Sequence, residues 1–269
     1  MATETTGAGF TTWQDLETVR LERDGGAVKI VLNRPKTLNA WILQMGTDLQ
    51  AAVKACEADD VRAVLVTGEG RAFSSGADLT QDSGLRSSEA LNGYYNDVML
   101  GIRALPKPVV SAVRGPAAGV GCALALSCDL VMMAESSFLL LAFVNIGLVP
   151  DGGASAFVPA RAGGGRALEM ALLGERVGAA KALDWGLANR VVADDDLTTE
   201  SEALLRRLAD GPTRAYAGIK RELNAQLYPD LAKQLRLEAE IQDEAEASAD
   251  FAEGVAAFLE KRSPKFTGA

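Results

Sequence analysis

Three glycine-rich segments hold the residues best suited to chemistry. They are Gly68-Glu69-Gly70-Arg71-Ala72-Phe73-Ser74-Ser75-Gly76-Ala77-Asp78, Gly115-Pro116-Ala117-Ala118-Gly119-Val120-Gly121 and Pro150-Asp151-Gly152-Gly153. The first two follow apolar runs that read as strands, and the second opens a helix. Glycine lets a backbone approach a ligand closely and turn its N–H groups outward. Two such loops after neighbouring strands can aim two N–H donors at one oxygen, and a helix start adds the positive end of its dipole. That is the geometry of an oxyanion hole, in which losing one donor costs about 10²–10³ in rate. The first loop lacks the Gly-Lys-Ser/Thr ending of a P-loop and the third glycine of a dinucleotide fingerprint. Each loop alone reads as a turn, and only the three together point to a site.

The chain has 269 residues and no histidine. That excludes a Ser-His-Asp triad, a Cys-His dyad, an HExxH site and a zinc finger. Proton transfer near neutral pH is left to carboxylates, Lys, Tyr, Cys or bound water. The cysteines, Cys56, Cys122 and Cys128, are odd in number and lie in apolar surroundings, as buried reduced thiols do. A net charge of −9 disfavours nucleic acid and anionic membranes as partners. The first residues carry no basic or apolar leader and no run is apolar enough to span a bilayer, so a cytoplasmic protein is expected.

Alternating elements must position these loops. Val19 to Leu32 reads as a hairpin turning at Asp24-Gly25-Gly26. Helix spacing runs from Ile42 to Cys56, and an apolar strand from Val61 to Thr67. A second helix carries Leu91, Tyr95, Val98, Ile102 and Leu105, with Ser87 or Ser88 available as its cap. Buried-type strands follow at Val109–Val113 and Leu130–Ala134, and Phe138–Leu141 adds another. Beyond Glu169 strand signals fade. From Leu197 the chain is helical, with breaks at Gly211-Pro212 and near Tyr228-Pro229, and its last helix shows an apolar stripe of Phe251, Val255, Phe258 and Leu259. Strands recurring with helices between them predict an α/β fold with mainly parallel pairing. The division expected is a tail over residues 1–14, a core over 15–196 and a helical region over 197–269.

In this order the chain resembles the crotonase superfamily, the enoyl-CoA hydratases and isomerases. The motifs that carry the resemblance are Asn33-Arg34-Pro35-Lys36-Thr37-Leu38-Asn39-Ala40, Arg71 to Leu79, Lys107 to Gly115, Cys128-Asp129-Leu130-Val131 and Ile146 to Gly153, followed by the Gly186-Leu187 turn and the segment from Phe251 to Phe266. The resemblance implies a spiral of ββα units with a helical C-terminal region that trimerises, giving a homotrimer or a dimer of trimers. It implies an acyl-CoA thioester substrate, with coenzyme A present as part of that substrate and no tightly bound cofactor or metal. The thioester oxygen would be held by the N–H groups of Ala77 and Val120. The coenzyme A and acyl portions would lie along Lys36, Leu38, Ala40, Ser75, Ala77, Asp78 and Leu79, with Gly119, Phe143 and Pro150 completing the binding set. Lys36, Arg71 or a tail lysine from a neighbouring subunit would meet the phosphates.

The chain departs from the hydratase pattern at the two glutamates that activate water, where it has Ala123 and Phe143. Adding water needs a base for the water and an acid for the α-carbon, and neither side chain can act as either. One carboxylate remains. Asp151 matches the position at which family isomerases hold their single acid/base, as Glu in Δ3,Δ2-enoyl-CoA isomerases and as Asp in ring-epoxide phenylacetyl-CoA isomerases. A single carboxylate can take a proton from one carbon and return it to another, and an apolar wall of Phe143 and Leu148 would raise its pKa. Asp151 could equally cap a helix starting at Gly152. Asp78 is expected to fix its loop, Asp129 to turn or cap at a strand start, and Tyr95 to lie in the core. The segment Gln81 to Asn96, which includes Asp82, would set the pocket's width. The expected activity is a double-bond shift through a thioester enolate. The alternatives are atypical hydration or ring-epoxide isomerisation, and a thioester-binding protein without catalysis.

Overall fold

The computed structural model describes residues 9–81 and 84–269, so Met1 to Ala8, within the expected tail, and Asp82 lie outside it. Strands β1 (Thr11–Asp15), β2 (Val19–Asp24) and β3 (Ala27–Leu32) form an antiparallel meander. The β2–β3 hairpin pairs Asp24 with Ala27 across Gly25-Gly26, as the turn residues predict. Residues 11–14, assigned to the tail by sequence, are therefore sheet. Helix α1 (Leu43–Ala55) leads to β4 (Ala63–Gly68). Then come α2 (Ser87–Ala90), a π-helical turn (Leu91–Tyr95) and α3 (Asn96–Ala104). Next are β5 (Val109–Val113), β6 (Pro116–Ala118), α4 (Val120–Ser127), β7 (Leu130–Ala134) and β8 (Phe138–Leu140). After α5 (Ala154–Ala162) and α6 (Gly164–Leu173) follow β9 (Val177–Gly178), α7 (Ala179–Asp184) and β10 (Arg190–Val192). The chain closes with α8 (Leu197–Ala209), α9 (Thr213–Leu227), α10 (Leu231–Glu246) and α11 (Ala249–Glu260).

The main sheet has the order β1-β2-β3-β4-β5-β7-β10 and is parallel from β3 onward, as expected. A smaller sheet, β6-β8-β9, stands beyond it. Strand periodicity sorts the side chains onto two faces. Val28, Ile30, Val64, Val66, Val109, Val113, Val131 and Met133 turn toward one core, shared with α1, α3 and α4. Ala27, Ala63, Leu65, Val110, Ala112 and Met132 turn the other way, where Leu204, Leu205 and Ala209 of α8 cover them. The alanines on that face let α8 approach the strands closely. Helix α10 also enters the main core, through Leu231, Leu235 and Ala239. Two helices beyond residue 197 thus complete the cores.

The parallel strands point their C-terminal ends at one edge, the usual place for a ligand in such sheets. The loops there are held by Asn39. Its backbone is left-handed (φ +55°), a conformation asparagine tolerates better than most residues. Its side chain accepts from the Arg34 N–H at 2.9 Å and donates to the Ala72 and Glu69 carbonyls at 2.8 and 3.0 Å. At the far edge, Asp129 accepts from the Val109 N–H and pairs with Arg103 and Lys220, both at 2.9 Å. It is a hub joining β5, α3 and α9, more than the expected strand-end turn.

Replacing Asn39 by Ala strands three partners and leaves a left-handed residue without its compensation. Asn39→Ala is expected to lower stability by about 2–4 kcal/mol, read from the urea midpoint. A loss below about 0.5 kcal/mol would mean the loops are held by other contacts.

Candidate active site

Residues 36–41 and 74–78 run side by side. Ser75 donates to the Leu38 carbonyl at 2.9 Å, Trp41 to Gly76 at 2.8 Å and Asp78 to Trp41 at 2.9 Å. Lys36, Leu38, Ala40, Ser75, Ala77 and Leu79 are thus brought together along one seam. Lys36 and Arg71 are exposed at its rim, with no ion pair among the described residues. Asp78 fixes the loop, as expected. Its Oδ1 accepts from the Thr80 hydroxyl at 2.6 Å and its Oδ2 faces Arg34 at 3.3 Å. Burial opposes its ionisation, but the Thr80 and Arg34 bonds outweigh burial and hold the carboxyl below its ordinary range.

The second loop crosses the first. Ser74 and Ala118 are joined by a 2.9 Å backbone bond, and a Cβ on Gly121 would come within 2.6 Å of the Ser74 Cβ. Gly119 sits at φ 53°, ψ −129°, a region open in practice only to glycine. A Cβ there would lie 3.6 Å from the Gly76 Cα and 3.8 Å from the Phe143 ring. The Gly119 N–H is taken by the Leu140 carbonyl at 2.9 Å, which turns the chain so that Val120 opens α4. Among the described residues, neither the Ala77 nor the Val120 N–H donates to a protein acceptor. Both stand free on touching loops, one of them at a helix N-terminus.

The third segment completes the cluster. Phe143 begins a 3-10 turn to Ile146, is nearly buried, and lays its ring beside Gly119. Pro150 is half-buried next to Asp151. Gly152 follows Asp151 and lies against the Val120 side chain, the Met99 methyl and the Ala123 methyl. The two positions expected to carry hydratase glutamates therefore hold only hydrocarbon, Phe143 against Gly119 and Ala123 against Gly152.

Asp151 does not cap a helix. Helix α5 starts at Ala154, and its leading N–H groups, from Gly153 and Ser155, donate to Glu238 of α10 at 2.7 and 3.0 Å. The Asp151 carboxyl is buried. Its Oδ2 accepts from Gln242 Nε2 at 2.9 Å, and its Oδ1 has no hydrogen-bond partner. Burial, and then the charge of Glu238, push its pKa up to about 8, against the pull of the Gln242 bond. Glu238 is itself raised by burial, yet both its oxygens are occupied by N–H and hydroxyl donors, leaving none for a substrate.

Elimination narrows the proton carriers further. The three thiols are buried and pushed up to about 12 by burial. Tyr95 ends the π-helical turn and packs edge-on to Trp41 with ring centroids 5.0 Å apart, in the core as expected. Its hydroxyl is pushed up to about 12 by burial and then by the charges of Asp151 and Asp78. Asp151 alone among these groups titrates near neutrality.

Sequence reasoning missed Glu238 and Gln242. Their signal was present: with Leu231, Leu235 and Ala239 they form the buried stripe of α10. A polar residue on an apolar stripe needs a buried partner. The same helix supplies the caps expected from Ser87 and Ser88. These serines are instead the first residues of α2, and their N–H groups donate to Glu246 and Asp243 at 2.9 and 2.8 Å.

A family model described as enoyl-CoA hydratase/isomerase matches residues 22–269. A probable enoyl-CoA hydratase of Rhodobacter capsulatus is 42% identical over 253 residues, spanning 93% of this chain and 98% of its own length. The 1,2-epoxyphenylacetyl-CoA isomerase of Escherichia coli is 40% identical over 250 residues, spanning 90% and 95%. The crystal structure of an enoyl-CoA hydratase from Mycobacterium avium subsp. paratuberculosis superposes with a TM-score of 0.87 at 39% identity, covering 94% of this chain and all of that one. The crotonase fold is thereby established. The names on these relatives differ in reaction, so the choice falls to the side chains.

The buried carboxyl has a consequence for stability. Below about pH 4 it is protonated in both the folded and the unfolded chain. Above that, the unfolded chain releases a proton that the folded protein keeps until about pH 8. The folded state binds more protons across this window, so Asp151 erodes stability as pH rises through it. Asp151→Asn, which cannot ionise, is expected to gain on the wild type from pH 5 to pH 8 in urea melts and to hold that gain above. A difference independent of pH would show that the carboxyl is not buried as described.

Proposed function

The chain belongs to the enoyl-CoA hydratase/isomerase family, and within it we propose that it shifts the double bond of an enoyl-CoA through a thioester enolate. The observation that carries this reading is the raised, half-unpaired carboxyl of Asp151, on a turn whose Gly152 packs against Val120, in a chain with two free N–H donors on touching loops and with Ala123 and Phe143 where a hydratase needs glutamates. The thioester oxygen lies between the Ala77 and Val120 N–H groups. Asp151 takes a proton from C2, and the C–H electron pair moves into the enolate, whose charge the two donors stabilise. The enolate electrons then re-form the carbonyl, C2=C3 is made, and the C3=C4 pair takes the same proton at C4. A carboxyl with a pKa near the working pH is a stronger base than an ordinary aspartate and still returns the proton.

Coenzyme A would run along the seam of residues 36–40 and 75–79, with Lys36 and Arg71 free at the rim for its phosphates. The binding-only alternative leaves the buried, unpaired Oδ1 without a purpose, since such an atom costs about 1–3 kcal/mol. A second reading, isomerisation of a ring-epoxide thioester, is favoured by the relative named for that activity. The Phe143 ring beside Gly119 suits a flat acyl group. For assembly, the exposed Ile219, Leu223 and Leu227 of α9, Leu237 and Ile241 of α10, and Phe258 and Leu259 of α11 offer apolar surface that a trimer would bury. No helix of the described residues is long and apolar enough to cross a membrane.

Conversion of a 3-enoyl-CoA to its conjugated 2-enoyl isomer, followed by thioester absorbance, tests the reading. Asp151→Asn is expected to lower kcat by about 10²–10⁴ with little change in KM. Because the base must be ionised, wild-type kcat/KM should climb with pH and level off above about 8. Hydration of a 2-enoyl-CoA should stay at background. Rapid hydration, or isomerisation that survives in Asp151→Asn, would overturn the assignment. If only aromatic epoxide thioesters turn over, with the same Asp151 dependence, the second reading replaces the first.

A further inference from the structure

Gln242 spans two parts of one turn. Its Oε1 accepts from the Val149 N–H at 3.1 Å, and its Nε2 donates to Asp151 Oδ2 at 2.9 Å. The orientation of the amide follows from chemistry. A peptide N–H only donates, so the amide atom facing Val149 must be the oxygen, and the NH₂ must face the carboxyl. A flipped amide would set N–H against N–H and leave Asp151 without a donor. Both side chains are buried, so water cannot substitute for either bond.

Helix α10 holds Gln242 in place. Glu238 lies one turn earlier on the same face, about 6 Å along the axis. It is tied to Gly153 and Ser155 on the far side of Asp151. The two α10 residues therefore grip the Val149–Ser155 segment from both ends. Between them the Asp151 side chain keeps one oxygen engaged and one unpaired.

We propose that Gln242 is a positioning residue that decides which oxygen of Asp151 moves the proton: the amide occupies Oδ2 in both protonation states, and Oδ1 takes the proton from carbon and returns it. This rests on the reading of Asp151 as the acid/base. The Gln242 amide acts through the carboxyl and through the Val149 turn that carries it. The titratable groups facing that carboxyl are Glu238 from α10 and Tyr95 from the π-helical turn. Neither contacts Gln242 through a hydrogen bond, so a change at Gln242 reads out on Asp151.

The experiment compares wild type, Gln242→Leu and Gln242→Glu. The first readout needs no turnover: a carbon-13 NMR titration of aspartate-labelled protein, with the Asp151 signal assigned by its loss in Asp151→Asn. Removing a donor to the ionised form should move the Asp151 midpoint upward by about one pH unit in Gln242→Leu. Gln242→Glu keeps the shape and the Val149 bond but sets a second carboxyl against Oδ2, so it should move the midpoint further. The second readout is isomerisation of a 3-enoyl-CoA. Gln242→Leu should lose about 10–100-fold in kcat with KM within about threefold, and the kcat/KM limb should follow the shifted midpoint. An unmoved midpoint in Gln242→Glu, or a change confined to KM, overturns the proposal. If Gln242→Leu does not fold, Gln242→Glu decides alone. If wild type isomerises nothing while the midpoints still shift, the proposed reaction falls and the hold of Gln242 on the Asp151 carboxyl stands.

Discussion

Keeping a carboxyl out of water with one oxygen unpaired is costly, and much of this structure is arranged around that cost. Ala123, Met99 and Val120 pack against the turn that carries Asp151, and Glu238 adds a negative charge close by. Each makes ionisation harder. Only the Gln242 amide works the other way. The balance leaves the group titrating close to neutral pH, in a protein with no imidazole to serve that range. Burial raises Glu238 too, and the N-terminus of α5 opposes that with two peptide N–H groups and a serine hydroxyl.

The two glycine loops solve the complementary problem of holding donors that nothing else uses. A free peptide N–H is rare inside a protein. Here the neighbouring polar groups are consumed: the Gly119 N–H by Leu140, the Asp78 N–H by Trp41, and the Ser74 N–H by Pro116. What remains free is what the loops are shaped to present. The scaffold beneath explains their rigidity, since five parallel strands and Asn39 fix where both loops start.

Much of this was readable from residue order. The meander turn, the buried parallel strands, the loops at their ends and the special place of Asp151 all rest on local patterns, glycine clusters or motif position. The parts that were not readable share a cause. Glu238 and Gln242 lie about ninety positions from Asp151, and their role depends on how α10 docks, which helical periodicity does not specify. The caps of α2 and α5 went astray for the same reason. Serine and aspartate near a helix start are good local caps, but here carboxylates from a distant helix take the N–H groups. Strands β9 and β10 are only two and three residues long and exist because the sheets recruit them, too short to leave a period in the sequence.

That distance in sequence also sets an order in time. The chain emerges from the ribosome with its N-terminus first. Once α9 is out, every strand of both sheets and both glycine loops have been made. Asp151 has by then been synthesised as well, but without α10 it lacks the burial and the Glu238 charge that raise it and the Gln242 amide that holds it. A nascent chain at that stage has the sheets and the glycine loops with the Asp151 carboxyl still unheld. The last helices therefore finish the surroundings of that carboxyl, and they are the last part of the chain to be made.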